Sequence, residues 1–297
     1  MKNLVIIGKV FPEPNSTAAG SRMIQLTDLF LTQNYQITFL STATISENSF
    51  DLSSKNISFQ NIVLNDSSFD ELIKNLNPEI VIFDRFTTEE QFGWRVSEQV
   101  PNAVKILDTE DLHFLRTARE KAFKQNRNLE HLDLINDVFK REIASILRCD
   151  LSLIISEFEM NLLIEKFRID ENILFYLPLF GEVKKSETSF SERKNFISIG
   201  NFLHEPNWQT VLQLKKLWKN IKNQLQEAEI HIYGAYASEK VFQLHNEKEG
   251  FIIKGRAESV ETVFNTAKVL LAPIPFGAGI KGKLLESMQF GLPNVTS

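Results

Sequence analysis

The sequence predicts an α/β protein with parallel sheets, arranged in two domains. Short apolar runs alternate with stretches of helical periodicity along the chain, which is the pattern of strands joined by crossover helices. A polar segment interrupts this pattern at 181–195, and the alternation restarts at Phe196. A length of 297 residues suits two domains of ordinary size. We therefore predict a first domain over 1–180, a linker over 181–195 and a second domain over 196–297.

The first domain alternates strands and helices from its first residues. Seven short runs rich in Ile, Leu, Val and Phe predict its strands: Leu4–Ile7, Ile37–Leu40, Ile57–Leu64, Ile80–Phe83, Val104–Leu107, Leu151–Ile155 and Ile173–Tyr176. Apolar residues at helical spacing predict its helices: Ala18–Thr32, Ser68–Asn75, Glu89–Gln99, Asp111–Lys124, Leu129–Leu147 and Glu157–Phe167. The helix from Leu129 is predicted to be long and continuous, with a buried apolar stripe that includes Leu132, Ile135 and Leu147.

The second domain repeats the pattern with fewer elements. Its predicted strands are Phe196–Ile199, Glu229–Tyr233, Phe251–Lys254 and Val269–Pro273, and its predicted helices include Trp208–Lys219 and Glu258–Ala267. A last helix ends at Gly291 and Pro293, and Val295 opens another apolar run. A domain of this kind normally continues for about 70–100 further residues. We therefore expect the chain to be truncated and its second domain to be incomplete.

Composition narrows the class of protein. The chain is 43% apolar and 24% charged with a net charge of −5, which fits a globular protein and gives no indication of nucleic-acid binding. The single cysteine, Cys149, excludes an intramolecular disulfide and fits a reducing compartment. No signal peptide or membrane span is predicted, so we expect a cytoplasmic protein. The five histidines and Cys149 are scattered, so we expect no metal and no cofactor.

The segment 271–296 carries the strongest chemical signal. A strand leads into a glycine-rich turn, and a helix follows with Glu286 one turn inside its start. The turn contains Gly277, Gly279 and Gly282. Backbone N–H groups in such a turn can approach an anion, and the helix dipole favours negative charge there. Lys281 and Lys283 add positive charge, and Glu286 can accept hydrogen bonds from ribose. The segment predicts a nucleoside diphosphate site; packing glycines before an ordinary helix are the alternative.

The stretch from Gly277 to Pro293, GAGIKGK-LE-M--GLP, resembles the donor-site motif of the retaining GT-B glycosyltransferases of group 1. The resemblance implies two Rossmann-like domains facing across a cleft, with a nucleotide-sugar donor held mainly by the C-terminal domain. It implies donor contacts at Gly277, Gly279, Ile280, Lys281 and Glu286. Many members carry two glutamates eight positions apart. Glu286 is the second, and Ala278 stands where the first would fall, so that contact with the donor sugar is missing.

Loops after three strands of the second domain should line the cleft, because ligands of open α/β sheets lie outside the carboxyl ends of the strands. The loop after Ile199 begins with Gly200 and Asn201. The best-known members carry an arginine and a lysine here for the donor diphosphate, and we infer that Lys281 does part of that work in this chain. A turn and helix cap is the alternative interpretation. The resemblance places the donor nucleoside at the next two loops, at Gly234, Gly255 and Arg256.

The loop after the first strand is a candidate for the acceptor side. Small residues stand at its predicted helix start, with Arg22 one turn inside. The loop resembles the N-terminal glycine loop of the same family, which implies acceptor-side contacts at Ala19, Gly20 and Arg22.

The strand that ends at Leu107 leads into a cluster of acidic residues and a histidine: Asp108, Glu110, Asp111 and His113. This strand end should also lie at a cleft. Family members place a histidine near this strand end, close to the sugar, so His113 and Asp108 are catalytic candidates. In the alternative interpretation, Asp108 caps the next helix and His113 is structural.

The most specific hypothesis is sugar transfer from a nucleotide-diphosphate sugar to the hydroxyl of a saccharide or lipid-linked acceptor, in polysaccharide, lipopolysaccharide or glycoconjugate biosynthesis. The family implies retention at the anomeric carbon. The N–H groups of the glycine turn, the helix dipole and Lys281, a third catalytic candidate, would stabilise the leaving diphosphate without a metal. A lipid-linked acceptor would bring the protein to the inner face of the membrane as a peripheral protein.

Two other functions remain open from the sequence. A sugar-nucleotide epimerase can use the same fold, and would convert the donor without an acceptor. A non-catalytic remnant would bind the nucleotide sugar and turn over nothing. A NAD-linked dehydrogenase is disfavoured, because the loop after the first strand lacks the tight G-x-G-x-x-G turn.

Overall fold

The computed structural model describes residues 2–184, 186 and 188–297. Lys185 and Glu187, which fall in the predicted linker, lie outside the described residues. The chain forms two compact units, each built on a parallel sheet. The first unit comprises residues up to Pro14, Ala19–Leu179 and Ala278–Ile280, and the second comprises Asn15–Ala18, Phe180–Gly277 and Lys281–Ser297.

The first unit contains a seven-stranded parallel sheet in the order β3-β2-β1-β4-β5-β6-β7. The strands are β1 (Lys2–Gly8), β2 (Tyr35–Ser41), β3 (Ser58–Asn61), β4 (Ile80–Asp84), β5 (Val104–Asp108), β6 (Leu151–Ile154) and β7 (Leu174–Tyr176). The order reverses direction at β1, next to β4. The carboxyl ends of β1, β4, β5 and β6 therefore lie side by side, where open α/β sheets bind their ligands.

Helices connect these strands. They are α1 (Ala18–Thr32), α2 (Ser68–Leu76), α3 (Phe86–Gln99), α4 (His113–Lys124), α5 (His131–Leu134), α6 (Asp137–Arg148) and α7 (Glu157–Asn161). Short 3₁₀ segments occur at Leu52–Lys55 and Glu171–Ile173, and a π-helical turn at Leu162–Lys166 continues from α7.

Apolar side chains cover both faces of the first sheet. Leu4 and Ile6 of β1 pack in one buried cluster, whereas Val5 and Ile7 pack in another. Successive side chains of a strand point to opposite faces, so this division shows a core on each side. The continuous apolar runs of the sequence follow from that double burial.

The second unit contains a five-stranded parallel sheet in the order β10-β9-β8-β11-β12. Its strands are β8 (Lys194–Ile199), β9 (Ile230–Tyr233), β10 (Phe251–Gly255), β11 (Ala267–Ala272) and β12 (Asn294–Thr296). Its helices are α8 (Glu205–Gln224), α9 (Glu239–Phe242), α10 (Val260–Thr266) and α11 (Gly282–Gln289). The core contains Trp218, whose Nε1 donates to the carbonyl of Glu249 at 2.7 Å.

The predicted helix over Leu129–Leu147 is wrong as a single helix. The chain leaves helical geometry at Ile135, and Asn136 starts α6 by accepting the N–H of Phe139 at 3.0 Å. The predicted stripe is correspondingly incomplete, because Leu132 is 79% exposed. A capping asparagine inside the apolar pattern outweighed the periodicity.

Two further predicted elements, a helix and a strand, have different boundaries in the structure. The predicted helix Glu157–Phe167 changes from α to π geometry at Leu162, without a break in the chain's turn. The predicted strand over 57–64 shortens to four exposed residues at the edge of the sheet. An edge strand pairs on one side only, so its apolar composition is a weak guide to its length.

Candidate functional site

Three predicted glycines of the second unit meet at the carboxyl edge of its sheet. The N–H of Gly200 donates to the carbonyl of Tyr233 at 3.1 Å, and the N–H of Gly234 donates to the carbonyl of Gly255 at 2.8 Å. These bonds join the ends of β8, β9 and β10, which are neighbours in the sheet. The spacing is close: a Cβ on Gly200 would lie 2.6 Å from the side chain of Asn207. Larger residues at Gly200 would therefore push into the loop that follows.

A hydrogen-bonded chain of three residues crosses this edge. The Nζ of Lys283 donates to Oδ1 of Asn207 at 2.8 Å, and Nδ2 of Asn207 donates to the carbonyl of Asn201 at 2.8 Å. The Asn201 side chain accepts the N–H of Leu203 at 2.8 Å and so shapes the turn. The sequence analysis singled out Asn201 in this loop, with a turn and helix cap as the alternative interpretation. The structure shows instead that Asn207 orients Lys283.

Lys283 lines a small open groove in the second unit. The volume of the groove, including the part that is open to solvent, is about 170 Å³. It is bordered by Ser198, Ile199, Gly200, Phe202, Asn207, Val211, Tyr233 and Lys283. The pKa of Lys283 is lowered to about 8, mainly by burial and also by the charge of Lys281, while the charge of Glu286 opposes both. An anion bound in the groove would stabilise the charged form of Lys283, which burial and Lys281 disfavour.

Glu286 lies one turn inside α11, as predicted. Burial raises the pKa of its carboxyl group, and the charges of Lys184 and Lys283 oppose that rise. Within the part of the chain that the structure describes, no side chain forms an ion pair with this carboxylate, and no donor is hydrogen-bonded to it. It is therefore available to accept hydrogen bonds from a ligand hydroxyl.

The turn before α11 brings Lys281 against Gly277. Lys281 is the N-cap of α11, and its carbonyl accepts the N–H of Leu284 at 2.9 Å. Its side chain folds back over Gly277, where an added Cβ would collide with the ammonium group. Because glycine has no Cβ, Gly277 leaves room for the Lys281 side chain along the turn.

Ala278–Ile280 belong to the first compact unit. The N–H of Gly279 donates to Oε1 of Glu159 at 2.7 Å. Gly279 has a φ of 61°, which is unfavourable for other residues. Burial raises the pKa of Glu159 to about 7, and the hydrogen bonds from Leu112 and Gly279 oppose that rise. The N–H predicted to contact a diphosphate is therefore already bound to a carboxylate oxygen.

Arg256 is exposed, and it follows Gly255, which has a φ of 70° where β10 departs from regular pairing. This geometry leaves the guanidinium in solvent near the ends of β9 and β10. The predicted role of Arg256 in framing a base stays a prediction.

Arg22 and Asp108 form a buried ion pair in the first unit. Their side chains are 1% and 0% exposed, and Nε of Arg22 lies 2.9 Å from Oδ1 of Asp108. Arg22 also donates to the carbonyl of Leu177 at 2.9 Å. The pair joins α1 to β5 inside the core, so both side chains have partners within the fold. Asp108 does not cap α4, contrary to the alternative interpretation from the sequence.

The N-terminus of α4 is capped by two acids from other helices. Glu142 accepts the N–H groups of His113 at 3.1 Å and Phe114 at 3.0 Å, and Glu159 accepts the N–H of Leu112 at 3.1 Å. These contacts satisfy N–H groups that a helix start leaves unpaired. No local sequence pattern marks them, because the acids come from α6 and α7.

His113 is held by the same cap. Its Nδ1 lies 3.0 Å from the carbonyl of Asp111 and 3.3 Å from Oε1 of Glu142, and its ring packs edge-on against Phe86. The side chain is 14% exposed. The predicted acceptor-side residues Ala19 and Gly20 lie in the first turn of α1, where a Cβ on Gly20 would collide with the backbone of Glu13.

The described residues contain neither a metal-binding cluster nor a membrane-spanning helix. Within residues 2–184, 186 and 188–297, no group of three or more His, Cys, Asp or Glu side chains is placed to hold a metal ion. None of the helices described is both long enough and apolar enough to span a bilayer.

Comparison with known proteins gives a family match for the C-terminal part of the chain. Residues 193–297 match the family model described as glycosyl transferases group 1. A search of curated proteins found no match to this chain.

Solved structures share the fold at low identity. TarM matches with a TM-score of 0.73 and 9% identity, over 100% of this chain and 84% of that one. HepE of Anabaena in complex with UDP matches with a TM-score of 0.72 and 9% identity, over 100% of this chain and 80% of that one. A mutant of S. aureus TarM in complex with fondaparinux, α-GlcNAc-glycerol and UDP matches with a TM-score of 0.59 and 14% identity. That match covers 76% of this chain and 43% of the other, so the chain spans less than half of that protein. These matches confirm the predicted fold of two α/β domains of GT-B type.

Proposed function

We propose that this chain, whose residues 193–297 belong to the group 1 glycosyl transferases, transfers a sugar from a nucleotide-diphosphate sugar to a hydroxyl acceptor with retention of configuration. The observation that carries the proposal is the arrangement of Lys283, Asn207 and Glu286 in the second unit. Lys283 lines a groove at the carboxyl edge of a parallel sheet, and Glu286 lies three residues further along α11. Neither side chain has an ion-pair partner among the described residues. That edge is where open α/β sheets bind nucleotides.

The diphosphate is assigned to the groove beside Lys283. Asn207 holds the ammonium by one hydrogen bond, which leaves its other N–H groups for phosphate oxygens. The start of α11 adds backbone N–H groups and the positive end of the helix dipole. Because negative charge grows on the leaving diphosphate during transfer, these preformed positive groups would stabilise the transition state more than the ground state.

Lys281 has a second, supporting role in this proposal. Its side chain lies over Gly277, at the approach to α11. A nearby cation disfavours the charged form of Lys283 until an anion arrives. Two lysines that repel each other in the empty site would both be stabilised by one diphosphate, which favours binding of the multiply charged donor over a neutral sugar.

Glu286 is assigned to the donor ribose. Its carboxylate is partly buried and lies one turn beyond the N-terminus of α11. A carboxylate in this position can accept hydrogen bonds from both ribose hydroxyls, which extends recognition from the diphosphate to the nucleoside. The position also matches the second glutamate of the group 1 motif.

The relatives guide the choice of substrates to test. The TarM and HepE complexes described above contain UDP, and the TarM complex also contains α-GlcNAc-glycerol. These observations support a uridine nucleotide as the first donor and a saccharide or polyol hydroxyl as the first acceptor. We also propose a lipid-linked form of that acceptor, a peripheral place at the inner face of the membrane, and a role in polysaccharide, lipopolysaccharide or glycoconjugate synthesis.

We propose that no metal ion takes part. The chemistry supports this assignment, because Lys281, Lys283 and the start of α11 already place positive charge where the diphosphate would lie. A divalent cation held by diphosphate would compete with both lysines for the same oxygens.

The test is a turnover assay with a panel of nucleotide sugars, with and without glycoside acceptors. We expect one donor to release its nucleoside diphosphate faster when an acceptor is added, and early NMR spectra of the product to show the donor's anomeric configuration. Conversion of the donor to an isomeric nucleotide sugar without an acceptor would instead identify an epimerase. Binding without turnover of any donor would identify a non-catalytic remnant.

A further inference from the structure

The predicted linker is packed against the C-terminal end of α11. Gly181 lies against the side chain of Gln289, with which a Cβ at this position would collide. The N–H of Lys184 donates to the carbonyl of Gln289 at 2.8 Å. Both contacts lie within the second unit, to which the chain returns at Phe180. The first part of the linker therefore has a fixed place on the helix that carries Glu286.

Arg193 attaches a later part of the linker to the same end of the helix. Its side chain is 6% exposed. Its Nη2 donates to the carbonyl of Phe290 at 3.1 Å, and its Nη1 donates to the carbonyl of Gly291 at 3.1 Å. The last carbonyls of a helix lack partners inside the helix, and a cation is favoured beside them. Two separate parts of the linker therefore hold the end of α11.

The side chain of Lys184 lies beside the last turn of α11. Its Nζ is 4.9 Å from the centre of the Phe290 ring and 3.8 Å from Oε2 of Glu261 in α10. Phe290 follows Glu286 by four residues, and its N–H donates to the carbonyl of Glu286 at 3.4 Å. Residues four apart lie on one face of a helix, with Cβ atoms about 5–6 Å apart. The ammonium of Lys184 therefore lies next to the face of α11 that carries Glu286.

The charge of Lys184 acts on Glu286 without occupying its carboxylate. Burial raises the pKa of Glu286, and the charge of Lys184 is the largest opposing influence, ahead of Lys283 on α11 itself. Among the described residues, neither lysine forms an ion pair or a hydrogen bond with this carboxylate. Glu261, the acid paired with Lys184, is 61% exposed, so solvent weakens its competition for the ammonium. The arrangement favours the charged carboxylate and leaves its oxygens open to a ligand.

We propose that Lys184 is a positioning residue for nucleoside recognition: from the linker, its ammonium keeps the carboxylate of Glu286 charged for the ribose hydroxyls. The inference rests on the proposed function, which assigns the donor ribose to Glu286. Hydrogen bonds to a charged acceptor are roughly twice as strong as those to a neutral one. The contribution of Lys184 should therefore grow as the pH falls towards the pKa of Glu286, where the charge of the carboxylate depends most on its surroundings.

A double-mutant cycle between Lys184→Met and Glu286→Gln tests this role on the full chain. Lys184→Arg keeps the charge. Lys268→Met is the matched control, because the Nζ of Lys268 also lies over an aromatic ring of the second unit, 5.3 Å from the centre of Phe190. Isothermal titration calorimetry gives the affinities for UDP and inorganic pyrophosphate from about pH 5 to about pH 8, which brackets the titration of a carboxyl group with a raised pKa.

We expect Lys184→Met to weaken UDP binding by about threefold at the acid end of this range, the scale of one screened charge interaction, and by less near neutral pH. In the Glu286→Gln background the same substitution should change nothing, and pyrophosphate affinity should stay the same. Lys184→Arg and Lys268→Met should bind UDP like wild type. Equal weakening in both backgrounds, or weakened pyrophosphate binding, would overturn the proposal, because Lys184 would then act on the ligand or on the fold.

The titration of Glu286 in the ligand-free protein separates this proposal from the proposed function. Carbon-13 NMR of protein labelled at the glutamate carboxyl groups follows it, and Glu286→Gln identifies the signal. Lys184→Met should raise the pKa of Glu286, and Lys268→Met should leave it unchanged. An unchanged pKa in Lys184→Met would overturn the proposal even if UDP binds as proposed. A raised pKa in a protein that binds no nucleoside diphosphate would uphold the action of Lys184 on Glu286 and contradict the donor site.

Discussion

The Nζ of Lys283 lies 2.8 Å from Oδ1 of Asn207, and this bond joins the first turn of α11 to the first turn of α8. The two helices follow different strands of the second sheet, so the bond brings a cation and a polar loop to one end of that sheet. Group 1 members that carry an arginine and a lysine after the first strand of this domain place their charge on the loop. In this chain the lysine stands on α11, and the first turn of α8 supplies the asparagine that orients it.

Replacing Lys283 tests the proposed diphosphate contact. Lys283→Met removes the charge and keeps much of the aliphatic volume, so we expect the affinity for nucleoside diphosphate to fall roughly tenfold to hundredfold, the range of one charged hydrogen bond. Isothermal titration calorimetry measures the change. Lys219→Met, on the exposed side of α8, is the matched control and should bind like wild type. Equal affinities for the two variants would contradict the assignment.

The pH dependence of binding follows from the pKa of Lys283. Burial lowers that pKa to about 8, so the ammonium loses its proton as the pH rises through this value and the diphosphate loses a cation. We expect nucleotide affinity to be full near pH 7 and to decline above about pH 8, by at most tenfold per pH unit. Lys283→Arg stays protonated throughout and should flatten the profile. An equally steep decline in Lys283→Arg would show that another group titrates.

Glu286 separates nucleoside recognition from diphosphate recognition. Glu286→Gln keeps the shape of the side chain and removes the charge, so it weakens hydrogen bonds from ribose hydroxyls. We expect it to reduce nucleoside diphosphate affinity about tenfold and to leave inorganic pyrophosphate affinity unchanged. Lys283→Met should reduce both. Competition of each ligand against a fluorescent nucleotide gives the two affinities, and a loss of pyrophosphate binding in Glu286→Gln would argue against a ribose contact.

Asp108 and Arg22 are expected to affect stability strongly. Asp108→Asn leaves the guanidinium of Arg22 buried without its counter-ion, which should cost about 3–5 kcal/mol of unfolding free energy. The double variant Arg22→Met with Asp108→Leu removes both charges and should recover much of that loss. Urea unfolding at neutral pH measures the three free energies. A small loss in Asp108→Asn, together with lost turnover, would favour a catalytic role for Asp108.

The absence of a required metal is directly measurable. We expect turnover with the accepted nucleotide sugar to be the same in EDTA as in added Mg²⁺ or Mn²⁺, because lysines and a helix N-terminus neutralise the diphosphate. The EDTA concentration is about 5 mM, on the order of a thousandfold over a micromolar enzyme. Pre-dialysis against the chelator removes slowly exchanging ions. A loss of turnover that Mn²⁺ restores would place a metal in the reaction.

Much of the fold could be predicted from the sequence, because strands buried on both faces are continuous apolar runs. Helix α1 begins and ends where the pattern placed it, at Ala18 and Thr32. The helix predicted from Leu129 failed because Asn136 caps a new helix inside an apolar pattern. Periodicity reports burial, but it does not show where a polar side chain will end a helix.

The candidate site was predictable only in part. The glycine turn and Glu286 lie within one stretch of sequence, so local pattern was enough to single them out. The pairing of Lys283 with Asn207 joins residues 76 positions apart and has no local signature. The acids that cap α4, Glu142 and Glu159, lie 29 and 47 positions from the N–H groups that they accept. Contacts between distant segments are set by packing, which a single sequence does not reveal.

The most direct test of the donor site is thermal unfolding of the full chain with UDP, GDP, ADP or dTDP, for wild type, Glu286→Gln and Lys283→Met. A ligand at a hundredfold over its Kd stabilises the folded state by roughly 2.7 kcal/mol. We predict that one nucleotide, with UDP tried first, raises the melting temperature of wild type by several degrees and raises that of each variant by clearly less. No shift with any nucleotide, or an equal shift in all three proteins, would contradict the proposed donor site.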